Sequence, residues 1–182
     1  MDIKSTDIEG LYVVTYKVNR DARGIFSRLF CENEFETLLK EKSFVQTNYS
    51  LTKEVGTVRG MHFQYPPFAE TKLVTCLSGA VCDVVVDLRK DSPTFLEWRA
   101  FELSPELGIA LFIPEGFAHG FQVIKKEAIL LYQHTEFYEP GHEGGISCFD
   151  STLNIEWPLL PINLSDRDQN HPEISGDFGI KF

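Results

Sequence analysis

The chain has little of what would mark a secreted, membrane-bound or nucleic-acid-binding protein. Only four of its 182 residues are cysteine. Cys31, Cys76, Cys82 and Cys148 form no C-x-x-C pair, and two of them lie in apolar strand-like runs. That pattern reads as buried free thiols rather than disulfides. No stretch approaches the roughly 18 apolar residues a membrane helix needs. The opening MDIKSTDIEG carries charges where a signal peptide would need an apolar segment. A soluble, cytoplasmic protein is therefore expected, with no membrane partner. Basic residues are outnumbered 17 to 27, for a net charge of −10. Such a surface repels nucleic acid and anionic membranes, although a few convergent arginines can still hold a small anion. Without repeats, low-complexity tracts or a Pro/Gly/Ser linker, residues 1–182 read as a single domain.

What is present is β-structure. Hydrophobic residues make up 43% of the chain, including 15 Phe and 6 Tyr, enough for one sizeable core. Leu11–Val18 is β-branched and aromatic, as strands prefer. Thr71–Leu77 and Ala80–Leu88 read as a hairpin turning at Ser78-Gly79. Further strands are expected at Leu96–Leu103, Gly108–Ile113, Gly120–Ile124 and Ala128–Glu136, with Lys125-Lys126 as a turn. Helical spacing appears only over Glu32–Lys42, where Phe35, Leu38 and Leu39 share a face. After about Gly141 the periodicity weakens, and the tail is expected to wrap the barrel. The fold class is all-β: a sandwich or barrel of the jelly-roll kind with a few short helices.

One stretch, TVRGMHFQYPPFAETKLV from Thr57 to Val74, interrupts the apolar pattern with Arg59, His62, Gln64 and Lys72. These groups either line a pocket or form the wet face of a strand. The spacing Gly108, Pro114, Glu115, Gly116 and His119 follows the second motif of the metal-carrying cupins, a jelly-roll signature. That motif's Asn is Val123 here. The first motif's His-x-His is reduced to His62-Phe63-Gln64, and its acid, Glu70, comes too late. Two isolated histidines fall short of the three or more ligands a metal centre needs, so no metal is expected. Among groups that remain, Arg23 and Arg59 suit a phosphate, which guanidinium binds bidentately. His62 is a candidate base, Lys72 a point charge for an oxyanion, and Tyr132 a proton donor. Each alone has an ordinary structural reading: a satisfied histidine, a solvated lysine, a core tyrosine with a wet tip.

Taken together, several segments resemble the dTDP-4-dehydrorhamnose 3,5-epimerase family. They include Asp21-Ala-Arg-Gly24, Phe44–Ser50, Val58-Arg-Gly-Met-His-Phe-Gln64 and Lys72-Leu-Val74. Pro114-Glu-Gly-Phe-Ala-His-Gly-Phe121, Tyr132–Tyr138 and Leu164-Ser-Asp-Arg-Asp168 follow in the family's order. The resemblance implies a metal-free cupin jelly roll, usually a strand-exchanging homodimer, that needs no cofactor. It implies a nucleotide-diphosphate sugar as substrate, inverted at C3 and C5: dTDP-4-dehydro-6-deoxy-D-glucose to dTDP-4-dehydro-L-rhamnose, or a close analogue. By motif position His62 matches the catalytic base, Asp168 its carboxylate, Tyr132 the proton donor, and Lys72 the residue beside the keto oxygen. Arg23, Gln46, Asn48, Arg59, His119 and Glu143 match positions that hold the nucleotide or sugar. Arg167 stands where the family usually has lysine.

The residue types suit that chemistry. A hydrogen beside a ketone becomes acidic because the resulting anion spreads onto the keto oxygen as an enolate. One base alone would return the proton to the face it came from, so inversion needs a second group across the ring. The sequence departs from the family at Arg28, where a Glu is usual, and at Gln133 and Cys148. The departures fall on recognition and leave His62, Lys72, Tyr132 and Asp168 in place. Two alternatives follow: an epimerase that inverts only C3 or only C5, and a sugar-nucleotide binding protein without catalysis.

Overall fold

The computed structural model describes residues 1–176 and 178–181. Its strands are β1 (Asp2–Ser5), β2 (Tyr12–Thr15), β3 (Val18–Asp21) and β4 (Gly24–Ser27), then, after helix α1 (Glu32–Leu39), β5 (Gln46–Thr52) and β6 (Val58–Gln64). Next come β7 (Lys72–Asp87), β8 (Trp98–Leu103), β9 (Ile109–Ile113) and β10 (Phe117–His134). β11 (Glu143–Gly145) and the short helix α2 (Asp166–Gln169) lie in the tail. No helix among the described residues is long and apolar enough to cross a membrane.

Two long antiparallel strands, β7 and β10, organise the barrel. The first part of β7 pairs with β9 and its second part with β8. The second part of β10 pairs with β5, and its first part with β6. Each long strand thus passes from one layer of the jelly roll into the other. The expected hairpin at Ser78-Gly79 is corrected: β7 runs through it. Gly79 takes φ +72°, and a Cβ there would collide with the Glu127 carbonyl, so the glycine makes a bend between layers rather than a reversal. Lys126, at φ 56°, is the matching irregularity in β10, which is why the expected Lys125-Lys126 turn is also continuous strand. Local residue type marks a break in both places, but a break of direction and a break of sheet leave the same signature.

Helix α1 begins where expected, at Glu32, and buries Phe35 and Leu39, but it ends at Leu39 rather than Lys42; Lys40, at φ 54°, stops it. The predicted strand Leu11–Val18 divides into β2 and β3, and among the described residues β3 pairs only with β4, as a separate two-stranded hairpin. The tail does wrap the barrel, through bridges Thr57↔Ile162 and Arg89↔Ile180.

Inside, Val74, Cys76, Val81, Val85, Leu111, Phe121, Val123 and Leu130 pack into a dry cluster, with Tyr132 against its edge. The same inward-facing positions continue past that cluster as polar residues. Tyr132 lies opposite Val74, and His134 opposite Lys72. Alternation along β5 turns Asn48 and Ser50 inward and leaves Tyr49 and Leu51 exposed at the strand's outer face. The barrel is therefore apolar at one end and polar at the other.

Candidate active site

The polar end is a cavity of about 500 Å³. One wall comes from β6 and the first part of β10, the other from β5, the start of β7 and the end of β10. Close approach of the strands on the first wall depends on glycine. A Cβ on Gly60 would sit 2.5 Å from Cα of Gly120, and Gly60 has φ +130°. The residue two places on from Gly60 is His62.

His62 Nε2 lies 2.7 Å from Oδ1 of Asp168, a buried residue of α2. The Gly60 amide approaches Oδ2 at 3.4 Å. Burial pushes the Asp168 carboxyl up, but the hydrogen bond and charge of His62, the Gly60 amide and Arg167 outweigh it. The net effect holds Asp168 below its ordinary range, ionised at neutral pH. Arg167 Nη2 also stands 3.0 Å from His62 Nε2. One nitrogen cannot donate to the carboxylate and accept from the guanidinium together. The buried anion requires a donor, so the proton sits on Nε2 and the lone pair on Nδ1. Arg167 is held instead by Glu143, at 2.7 Å, which also accepts from the Tyr138 hydroxyl at 3.0 Å.

On the facing wall Tyr132 is 2.9 Å from the Ser50 hydroxyl. Burial raises its phenol far above the usual range, so it keeps its proton at neutral pH. Lys72 Nζ lies 3.1 Å from Glu70, whose other carboxylate oxygen is 2.7 Å from Nδ1 of His134. Burial raises Glu70, but Lys72 and His134 together hold it below its ordinary value.

The remaining expected residues divide in two. Arg59, Gln46, Asn48, His119, Glu143 and Arg167 all line the cavity. Arg59 bonds Thr52 at 2.9 Å, and His119 is 2.9 Å from the fully buried Asp83. Complete burial pushes the Asp83 carboxyl up, against the pull of His119. Arg23 and Arg28 lie outside the cavity. Arg23 is on the β3–β4 hairpin with 90% of its side chain exposed, paired with Asp21 at 2.5 Å. Arg28 pairs with Glu34 at 3.2 Å.

The lining residues His134, Ser50 and Tyr138 were not expected from the sequence, nor was a pocket role for Glu70, noted there only as a mis-spaced cupin acid. Asp83, buried behind His119, was not expected either. Period-two alternation from Tyr132 points to His134, and from Asn48 to Ser50, so the signal was there once a pocket wall was assigned.

Donors at the cupin metal positions are engaged by protein: His119 with Asp83, Glu70 with Lys72 and His134, and Gln64 with the Phe68 and Phe137 carbonyls. His62, Asp168 and His171 place potential ligand atoms within 4.8 Å of one another, but the Arg167 guanidinium already stands at His62 Nε2. What the cavity offers is an imidazole–carboxylate pair on one wall, with a protonated phenol and an ammonium on the other.

Comparison with known proteins places the chain in one family. The family model described as dTDP-4-dehydrorhamnose 3,5-epimerase matches residues 5–176. The chain is 44% identical over 171 residues to the dTDP-4-dehydrorhamnose 3,5-epimerase of Shigella flexneri, covering 93% of this chain and 94% of that protein. It is 38% identical over 171 residues to a dTDP-4-dehydrorhamnose 3-epimerase of Streptomyces niveus, covering 93% and 82%. The crystal structure of a Legionella pneumophila dTDP-6-deoxy-D-glucose-3,5-epimerase in complex with dTDP-4-keto-L-rhamnose superposes with TM-score 0.92 at 36% identity, covering 100% of this chain and 98% of that one.

Proposed function

The chain belongs to the dTDP-4-dehydrorhamnose 3,5-epimerase family, a family of isomerases, and from that premise we propose how its residues invert C3 and C5 of dTDP-4-dehydro-6-deoxy-D-glucose. The observation that carries the reading is the placement of His62–Asp168 and Tyr132 on facing walls of one cavity.

His62 takes the proton beside the ketone through Nδ1, and Asp168 stabilises the imidazolium that results. The electron pair moves onto the keto oxygen, where the Lys72 ammonium meets the developing charge. One well-placed donor of this kind contributes about 3 kcal/mol. Tyr132 returns a proton from the other side of the ring, which inverts the centre. Its high pKa ensures that the proton is available, and Ser50 is the hydroxyl beside it as the phenolate forms. The ketone already activates both C3 and C5, so the same groups serve twice once His62 has released its proton to solvent and Tyr132 has regained one, and no cofactor is called for. In this reading Arg59, His119 and Arg167, which line the cavity, hold the diphosphate and sugar.

The active unit of this reading is a homodimer of single-domain chains. The β3–β4 hairpin pairs with no strand of the main sheet and exposes Ile25 and Phe26, the latter by 73%. Edge strand β5 exposes Tyr49 by 74% beside its own pocket. A hairpin passed to a second copy covers those apolar faces and carries the partner's Arg23 toward the cavity. Arg28 then bears on recognition of the base from outside the cavity of its own chain.

Isotope exchange tests the assignment. The protein is incubated with dTDP-4-keto-6-deoxyglucose in D₂O, and C3 and C5 are followed by NMR. Deuterium at both carbons is expected. Deuterium at C3 alone would place the chain with its Streptomyces niveus relative, and binding without exchange would make it a non-catalytic receptor.

A further inference from the structure

Glu70 and His134 have no part in the chemistry above, yet both are buried in the cavity wall. They form a continuous hydrogen-bonded chain that ends on Lys72. Asn48 Nδ2 is 3.4 Å from His134 Nε2, His134 Nδ1 is 2.7 Å from Glu70 Oε2, and Lys72 Nζ is 3.1 Å from Glu70 Oε1. Glu70 is a carboxylate and can only accept, so Nδ1 of His134 carries a hydrogen and donates it to Glu70, with the Asn48 amide against the ring's other nitrogen. Glu70 accepts on both oxygens. The His134 ring is held flat beside Tyr132, with centroids 6.2 Å apart and planes 25° from parallel.

We propose that Glu70 and His134 are positioning residues that fix the Lys72 ammonium for the keto oxygen, an inference that rests on the epimerase reading. Lysine carries its charge on a flexible four-carbon stem with three rotatable donors, so an untethered ammonium in a cavity this size would sample many places. Stabilising an enolate depends on the donor being in position before the charge appears. Glu70 supplies the tether, but a lone carboxylate would also draw the lysine's charge to itself. His134 opposes that by donating to the second oxygen and drawing electron density away from the Lys72 side. The arrangement holds the ammonium in place while leaving it electrophilic. Other charged or titratable groups near the lysine are Asp83 on its own strand, His119 and Tyr132 on β10, and Arg59 and His62 on β6. Glu70 and His134 are the ones joined to it in a chain of hydrogen bonds.

The test compares His134→Leu, His134→Asn and Glu70→Gln in steady-state epimerisation of dTDP-4-keto-6-deoxyglucose. Asparagine can place its amide near Nδ1 and still donate to Glu70; leucine cannot. His134→Leu is expected to lower kcat about tenfold with KM within about twofold, and His134→Asn to recover most of the loss. Glu70→Gln, which keeps the shape and removes the charge, should also lower kcat rather than raise KM, and it carries the test if His134→Leu does not fold. Equal loss in the leucine and asparagine variants, a loss confined to KM, or no loss would overturn the proposal. The wild-type rate separates the two levels: turnover with indifferent variants sinks this inference alone, whereas no turnover sinks the epimerase reading and this with it.

Discussion

His62 and Asp168 stand 2.7 Å apart although they are 106 positions apart in the chain. Each is delivered by a different device. His62 comes from a strand whose neighbour approaches closely at Gly60 and Gly120. Asp168 comes from the tail, where Ser165 caps α2 by accepting from the Asp168 amide. Because the carboxylate fixes the proton on Nε2, its loss should disable the base without moving it. Asp168→Asn is expected to lower kcat by about 100-fold or more with modest change in KM. Steady-state kinetics beside a circular-dichroism control would check this, and an unchanged kcat would remove Asp168 from the mechanism.

Tyr132 offers a sharper separation of steps. If His62 removes the proton and Tyr132 delivers one to the opposite face, Tyr132→Phe should leave removal intact and stop inversion. His62 would then exchange its proton with solvent and return deuterium to the original face. The expected result is deuterium at the sugar carbons with retained configuration, read by NMR in D₂O. Inversion at a wild-type rate in Tyr132→Phe would assign the acid elsewhere.

Much of this site was legible because its chemistry and its strand periodicity coincide. Arg59 and His62 break the apolar pattern of β6, and no run of charges offers to explain them as a wet surface. The Ser78-Gly79 and Lys125-Lys126 breaks were visible too, but their meaning was not. A glycine at positive φ serves a turn or a layer change equally well, and only pairing with β8 and β9 decides between them. Glu70 and His134 were hidden for a different reason. Their significance lies in a register that sets His134 opposite Lys72. Arg23 and Arg28 mark the furthest limit, since one folded chain keeps them on its surface.

Acid should unfold the protein through carboxyls whose pKa values are depressed on folding. Asp168 and Asp87, from an ordinary value of 3.8, and Glu70, from 4.5, are all lowered, despite burial acting the other way. For Asp87 the opposing causes are hydrogen bonds from Arg89, Ser92 and Thr94. A depressed group contributes its stability in full above its unfolded pKa and loses it as pH falls through the folded one. Urea midpoints should therefore be flat between about pH 7 and 5.5 with respect to these groups and fall below about pH 4.5. Asp83, raised by burial, acts in the opposite sense, so the comparison is made in Asp168→Asn and Asp87→Asn as well: midpoints whose fall below about pH 4.5 is as steep as in the wild type would contradict the assignment.

Gly60→Ala tests the strand crossing that presents His62. The added methyl would meet backbone, Cα of Gly120 and the His119 carbonyl, which cannot rotate away as a side chain can. Its φ of +130° adds strain for any L residue. A loss of about 3 kcal/mol is expected from overpacking and backbone strain together. Chemical denaturation measures it directly, and a loss below about 0.5 kcal/mol would show that the crossing relaxes freely.

The dimer reading makes a prediction that no single-chain site would share. If each cavity combines its own His62 with the partner's Arg23, then His62→Asn and Arg23→Ala are defects on different sides of one interface. Each homodimer should be impaired, the first in proton removal and the second in substrate affinity. In a heterodimer of the two, both defects fall in one cavity. The other has an intact His62 from the Arg23→Ala chain and an intact Arg23 from the His62→Asn chain. Unfolding the two variants together and refolding them yields about half heterodimers if assembly is random, each with one whole site. Activity should therefore rise well above the mean of the separate variants, toward about a quarter of wild type, because half the dimers carry one working cavity of two. Activity that stays at the mean would keep Arg23 with its own chain, on the exposed hairpin where it pairs with Asp21.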